Sequence, residues 1–351
     1  LPGFTLQGIS PDHGELCDRP GKINGTAFVP QRLMAKHLRR LSYFLILFVA
    51  LSSCESSFDF DELAGERDSI DDEGDPVIEN PVDDGTREFG LDNSYCYGFS
   101  TPDEEIAKID IEIDYPESYD LSEYLPPVDT QGTQGSCVAW ATGYYLKSFQ
   151  ENYQNSQDDP PASTVILSPS FIFNQIKISP CSGSQIADAL DLLQVSGTPE
   201  WTIMPYNEND CETQPTDLQR SLAEPNRIDS YFYLNGEILL EQTKAFLIND
   251  QPVVIAISID RNYFGAKENG VSVYRKFKKV DGAHAMLVVG YDDALNAFKA
   301  VNSWGPEWGD RGFVWIDYKA FEEANDPESD FKILCEAWIS NDLGAAPEPN
   351  L

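Results

Sequence analysis

The chain changes its hydrophobic period once, close to Pro252, and that change limits the folds open to it. Upstream, apolar residues recur at helical spacing over residues 137–153 and 168–178, over 184–195 around Ile186-Ala187-Asp188-Ala189-Leu190, and over 237–249, where Asn249-Asp250 closes the run. Leu167-Ser168-Pro169 reads as a helix start, a capping hydroxyl followed by proline at the first helical position. Downstream, residues 253–259, 284–291, 297–303, 312–318 and 332–339 read as strands separated by Gly, Asn, Asp and Pro. Nearer the N-terminus, Ile109, Ile111 and Ile113 alternate with acids, the pattern of a short strand. A helical part followed by a strand-rich part predicts an α+β protein of two lobes, with the cleft between them as the usual place for a site. At 351 residues there is chain enough for one large domain or two halves with sizeable cores.

A different kind of segment starts at Met34. Lys36, His37, Arg39 and Arg40 form a basic region, and the run Leu45 to Leu51 is an apolar core too short to span a bilayer comfortably. Small residues and Cys54 follow, which is the layout of a secretory signal peptide over residues 34–53. Leu51-Ser52-Ser53-Cys54 also resembles a bacterial lipoprotein box, which makes Cys54 the expected lipidated first residue; an ordinary signal peptide cut nearby is the alternative. Residues 1–33 are set aside as an upstream extension. Over residues 54–90 Asp and Glu dominate, Arg67 and Arg87 are the only basic residues, and Pro and Gly recur, so an acidic disordered tether is expected. The folded domain is expected over 91–351, with a helical lobe at about 131–225 and a β lobe at about 226–340.

Processing before Cys54 removes six of 24 basic and three of 59 acidic residues, leaving 18 against 56 and a net charge of −38. A chain so acidic is a poor partner for nucleic acid, whose binding leans on phosphate neutralisation by Lys and Arg. It fits an extracytoplasmic body, expected to be monomeric and held at a bacterial membrane, outer membrane or cell surface by a lipid on Cys54 rather than by a spanning helix. His13 and His37 precede the cleavage, so His284 is the one imidazole left. That excludes multi-histidine zinc sites, and no cysteine pair has metal-ligand spacing, so neither metal nor cofactor is expected. If Cys54 is acylated and Cys137 is a working thiol, Cys96, Cys181, Cys211 and Cys335 remain, an even number that permits two disulfides with the pairing open.

Three segments carry possible chemistry. In Gln131-Gly132-Thr133-Gln134-Gly135-Ser136-Cys137 a tight polar loop precedes a helix-length apolar run, with Ser136 as expected N-cap, its hydroxyl accepting from the first free N–H groups. Cys137 then lies in the first helical turn, where unpaired N–H groups favour a thiolate. His284 heads a buried-looking strand in Gly282-Ala283-His284-Ala285-Met286 and is the only neutral-pH base of the usual kind. Eighteen residues on, Asn302-Ser303-Trp304-Gly305-Pro306-Glu307-Trp308-Gly309 places an amide that can fix the imidazole tautomer and a tryptophan that can cover that bond. Taken singly, each segment also admits a structural reading: a core cysteine, a strand-edge histidine, a turn asparagine.

Together, and in this order, the three segments resemble those of the papain-like cysteine peptidase family, over roughly residues 115–340. The resemblance implies the two-lobed papain-like fold, a helical lobe beside an antiparallel β-barrel-like lobe with the active-site cleft between them. It implies peptide or protein substrates, Cys137 as nucleophile, His284 as its base, Asn302 as orienting amide, and Gln131 as oxyanion donor beside the Cys137 backbone N–H. Substrate-binding positions carried over are Gly183 and Ser184, Ala256 and Ala285 beside the pocket for the second residue before the cut, and Trp304 and Trp308. Small residues in that pocket would suit a bulky apolar side chain.

The match has departures. Val138 stands where the family usually has an aromatic residue, and Ala283 where it has a polar one. Gln134 replaces a disulfide cysteine, so Cys181 lacks its usual partner; Cys211 is the candidate in its place, with Cys96 and Cys335 as the remaining candidates. Nothing in residues 55–114 looks like the family's helical inhibitory propeptide. The expectation is a Cys–His–Asn peptidase acting through a thioester; the alternatives are a papain-fold binding or adhesion lipoprotein with little turnover, or thiol chemistry on other amides.

Overall fold

The computed structural model describes residues 107–343 apart from 112, 157–163, 179–180, 235–237, 261–262, 264–270, 272, 276, 278–281 and 323–332. All of these belong to one compact unit, Gly74–Leu351. The segments expected over 1–33, 34–53 and 54–90, with Cys54 and Cys96, lie outside the described residues.

One helical run starts at the loop that ends in Cys137. A turn of α-helix, α1 (Cys137–Ala139), passes into a π-helical stretch, Trp140–Lys147, and then into α2 (Ser148–Asn155). Sequence patterning predicts the run but not its wide middle turn, a form rare in helices and frequent at functional sites. There Gly143 faces α3 (Pro169–Ile176), and a Cβ on it would come within 2.4 Å of Ile172 Cδ1, so a larger residue requires that side chain to shift. The start of α3 is as expected: the Ser168 hydroxyl accepts from the Phe171 N–H at 3.2 Å, with Pro169 in the first turn. Next come α4 (Ile186–Val195), α5 (Asp217–Ala223) and α6 (Leu239–Ile248). Asp250, in left-handed backbone at φ 63°, ends the last of these.

Among the described residues eight strands form one sheet: β1 (Ser118–Asp120), β2 (Ile228–Tyr233), β3 (Val253–Ile259), β4 (Val273–Tyr274), β5 (Gly282–Asp292), β6 (Ala297–Val301), β7 (Phe313–Asp317) and β8 (Leu334–Asp342). Their order is β2-β8-β3-β5-β6-β7-β4. The central strand β5 pairs with β3 through residues 282–288; β1 takes over that side at 290–292, and β6 occupies the other. Both β3 and most of β5 are buried, and their continuous apolar run is what a strand covered on both faces requires. The expected barrel-like closure is corrected here: the sheet is open, and β4 pairs with β7 in parallel. Ile109 and Ile111 lie in no strand among the described residues; β1 forms farther along, at Ser118.

The helical run is tied to the sheet by a buried charge. Lys147, in the π-helical stretch, is fully buried and pairs with Glu151 one turn on and with Asp342 at the end of β8, at 2.6 Å. Gln154 also donates to Asp342. Burial pushes the Asp342 carboxyl up, while Lys147 pulls it the other way. Among the described residues no helix is long and apolar enough to cross a membrane.

Candidate active site

The loop before Cys137 is fastened to the loop that carries Asn302. The Gln131 N–H donates to the Ser303 carbonyl at 2.8 Å, Thr130 bridges to Trp304, and the Gly305 N–H reaches the Asp129 carbonyl at 3.2 Å. Gln131 is buried; its side-chain oxygen accepts from the Ser303 hydroxyl at 2.6 Å, and its amide donates to the Gln134 carbonyl at 2.8 Å. From the helical run, the Tyr145 hydroxyl donates to the Asn302 carbonyl at 3.0 Å. Cys137 follows on α1, which packs against β5, the strand of His284. It is in no disulfide and has 0 % exposure. At the first helical position its N–H has no partner within the helix.

His284 and Asn302 are in contact, with ring Nε2 2.7 Å from Asn302 Oδ1. The same oxygen lies 2.7 Å from the Ser303 backbone N–H, which can only donate. That fixes Oδ1 as the acceptor, so Nε2 carries a proton and Nδ1 is the acceptor of the ring. Asn302 Nδ2 is buried without a hydrogen-bond partner. The Trp304 ring lies across the imidazole, centroids 4.8 Å apart at 36°, and Trp308 meets Trp304 edge-on at 5.1 Å. Tyr263 stacks on Trp308 at 5.2 Å, with its hydroxyl 2.8 Å from Met286 Sδ. Burial, then the neighbouring Tyr274, hold the Tyr263 phenol well above its ordinary value. These rings keep water from the His284–Asn302 bond, where a neutral hydrogen bond is strongest.

Other expected positions fall differently. Ser136 is at the N-cap, yet its side chain caps no N–H; its hydroxyl lies 2.6 Å from the Tyr206 hydroxyl instead. Gly183 and Ser184 are buried, and Ser184 Oγ has no hydrogen-bond partner among the described residues. Ala256 and Ala285 are register partners across β3 and β5, and the buried Glu336 lies opposite Ala256 on β8, accepting from the Trp338 indole at 2.7 Å. Trp304 and Trp308 are buried. Cys181 and Cys211 form a disulfide, and Cys335 is disulfide-bonded as well. Residue-by-residue reading missed Ser303, Tyr206, Glu208 and Tyr263 as parts of the site. Only Ser303 sat in one of the three segments, beside Asn302, and could have been marked there.

Among solved structures, the fold is that of xylellain, a cysteine protease from Xylella fastidiosa, with a TM-score of 0.60 at 23% identity, covering 74% of this chain and 96% of that one. It is also that of the procathepsin B S9 of Trypanosoma congolense, with a TM-score of 0.53 at 18% identity, covering 74% and 87%. Both neighbours share the papain-like fold with this chain. Residues 115–327 match the family described as papain family cysteine protease, and the chain belongs to that family. Similar relatives are the gamete and mating-type specific protein A of Dictyostelium discoideum, 30% identical over 56% of this chain, and the oryzain beta chain of Oryza sativa subsp. japonica, 28% identical over 58%. The match spans 41% and 42% of those proteins' lengths, less than half of either.

Proposed function

We propose that the chain hydrolyses peptide bonds through Cys137, His284 and Asn302, with Gln131 as an oxyanion donor. The Cys137 thiol passes its proton to His284 Nδ1, and the sulfur attacks the scissile carbonyl. The Gln131 amide and the Cys137 N–H donate to the oxygen as it becomes negative. The imidazolium then protonates the leaving amine and a thioester remains. His284 takes a proton from water, the hydroxide attacks the thioester, and the acid leaves with the thiol restored. The observation that carries this reading is the shared acceptor Asn302 Oδ1, which gives His284 the one tautomer able to receive the thiol proton. The Cys137→Ala variant should fold, lose hydrolysis of a peptide library and lose labelling by a thiol-directed epoxide; undiminished turnover would overturn the assignment.

The same reading includes export from a bacterial cell and anchoring by a lipid on Cys54, supported by the basic-apolar-small pattern over residues 34–53. Mass spectrometry of the mature N-terminus tests it: an unmodified end, or one that retains residue 53, removes the anchor.

A further inference from the structure

The loop between the two oxyanion donors is held by a segment about seventy residues away. The Tyr206 phenol oxygen lies 2.6 Å from Ser136 Oγ, 2.8 Å from the Gln131 carbonyl and 3.0 Å from Gln134 Oε1. When the phenol donates to the Gln131 carbonyl, the Ser136 hydroxyl is placed to donate to the phenol oxygen, and the oxygen then bridges both ends of the loop. Its ring is fixed edge-on to Trp140 at 5.0 Å. Burial, opposed by the Ser136 bond, pushes the phenol up to about 12, so it stays protonated through the working range of a protein. Two residues on, the Glu208 carboxylate accepts from the Thr133 N–H at 2.7 Å, and the Glu208 carbonyl accepts from the Gln134 amide at 3.2 Å. The Gln131 amide leans on this same loop through its bond to the Gln134 carbonyl. Any slackening of residues 131–136 therefore turns that amide.

We propose that Tyr206 is a positioning residue, whose hydroxyl sets the spacing of Gln131 and Cys137 so that both donors converge on one oxyanion. The proposal deepens the peptidase reading and rests on it. Tyr206 touches neither substrate nor sulfur in this scheme; it acts through the loop.

Tyr206→Phe keeps the ring and removes one oxygen. The readouts are kcat and KM on a peptide substrate, affinity for a peptide aldehyde, and the rate of alkylation by iodoacetamide. With the aldehyde, the thiol adds across the C=O: a C–S bond forms, the π bond opens, and the thiol proton ends on the imidazole or on the new oxygen. That oxygen occupies the oxyanion position. The expected result is a ~10-fold fall in kcat at unchanged KM with an equal loss of aldehyde affinity, short of the ~10²–10³ that deleting a donor outright costs. Alkylation, which builds no oxyanion, should keep its rate. A Tyr206→Phe protein that melts earlier yet matches the parent in kcat and aldehyde affinity overturns the proposal. If that variant does not fold, Ser136→Ala decides: it removes the phenol's partner, and unchanged kcat and aldehyde affinity there also overturn it. A parent protein that neither hydrolyses peptides nor captures the aldehyde overturns the peptidase reading, and the role of Tyr206 with it.

Discussion

The Ser303 hydroxyl donates to Gln131 Oε1 across 2.6 Å, joining the loop of Asn302 to the loop before Cys137 inside the protein. Both residues are buried, so deleting the hydroxyl leaves an amide oxygen with no water to turn to. Ser303→Ala should therefore cost about 1–3 kcal/mol of stability in urea titration. Because Gln131 is also the proposed oxyanion donor, kcat should fall with KM little changed. A variant as stable and as fast as the parent would mean the bond is idle.

Gly132 sits in left-handed backbone at φ 62°, and a methyl there would stand 1.9 Å from Glu208 Oε2. The side chain of Glu208 is flexible and exposed, so it can swing away, but only by releasing the Thr133 N–H. Gly132→Ala is expected to cost about 1 kcal/mol or more, from backbone strain together with that lost bond. A Gly132→Ala/Glu208→Ala double variant should differ from Glu208→Ala by the strain alone, because neither keeps the bond to the Thr133 N–H. Thermal melts of the three proteins separate the two.

Lys147 and Asp342 form a buried pair between the helical run and β8. Removing one partner of such a pair strands a charge, at about 3–5 kcal/mol. Lys147→Met should fall in that range by chemical denaturation. Lys147→Met with Asp342→Leu should be distinctly more stable than the single variant, because the stranded carboxylate goes too.

Asp120 at the end of β1 is half exposed and lies 2.8 Å from Lys299 on β6. Burial pushes its carboxyl up, but Lys299 and Ser122 together outweigh that and hold it below its ordinary 3.8. A carboxyl lowered on folding adds stability that is fully present above the unfolded value and disappears as pH falls through the folded one. The difference between the parent and Asp120→Asn should thus be flat from neutral pH down to about 5, then close below pH 4. Its size should be about 1 kcal/mol or less, since solvent screens the pair, and should shrink in salt. A difference that widens on acidification would reverse the assignment.

Much of the fold follows from local pattern. Ser168-Pro169 starts its helix as read, and the apolar runs around Val253 and His284 become the two buried central strands. Errors arise where tertiary contacts set the boundary. The strand expected to run to residue 303 stops at Val301, because Asn302 turns out of the ladder to meet His284. Ser136 gives up its capping bond for a phenol that sequence places seventy residues away. No local pattern separates a π turn from an α turn, so Trp140–Lys147 could not be told from its flanks. In the site, Cys137, His284 and Asn302 stand out because few residue types carry such chemistry. Tyr206, Glu208 and Tyr263 act as acceptors, donors or packing, and those roles appear only once distant segments meet.

β5 carries His284 near its start and is hydrogen-bonded on at least one side along its whole length. Its amides should be among the last in the molecule to exchange with deuterium, since freeing them means opening the sheet itself. Cys137, by contrast, is mounted at a helix end behind a loop held largely by side chains. Motion on the sulfur's side can then leave the imidazole in place on the central strand of the sheet.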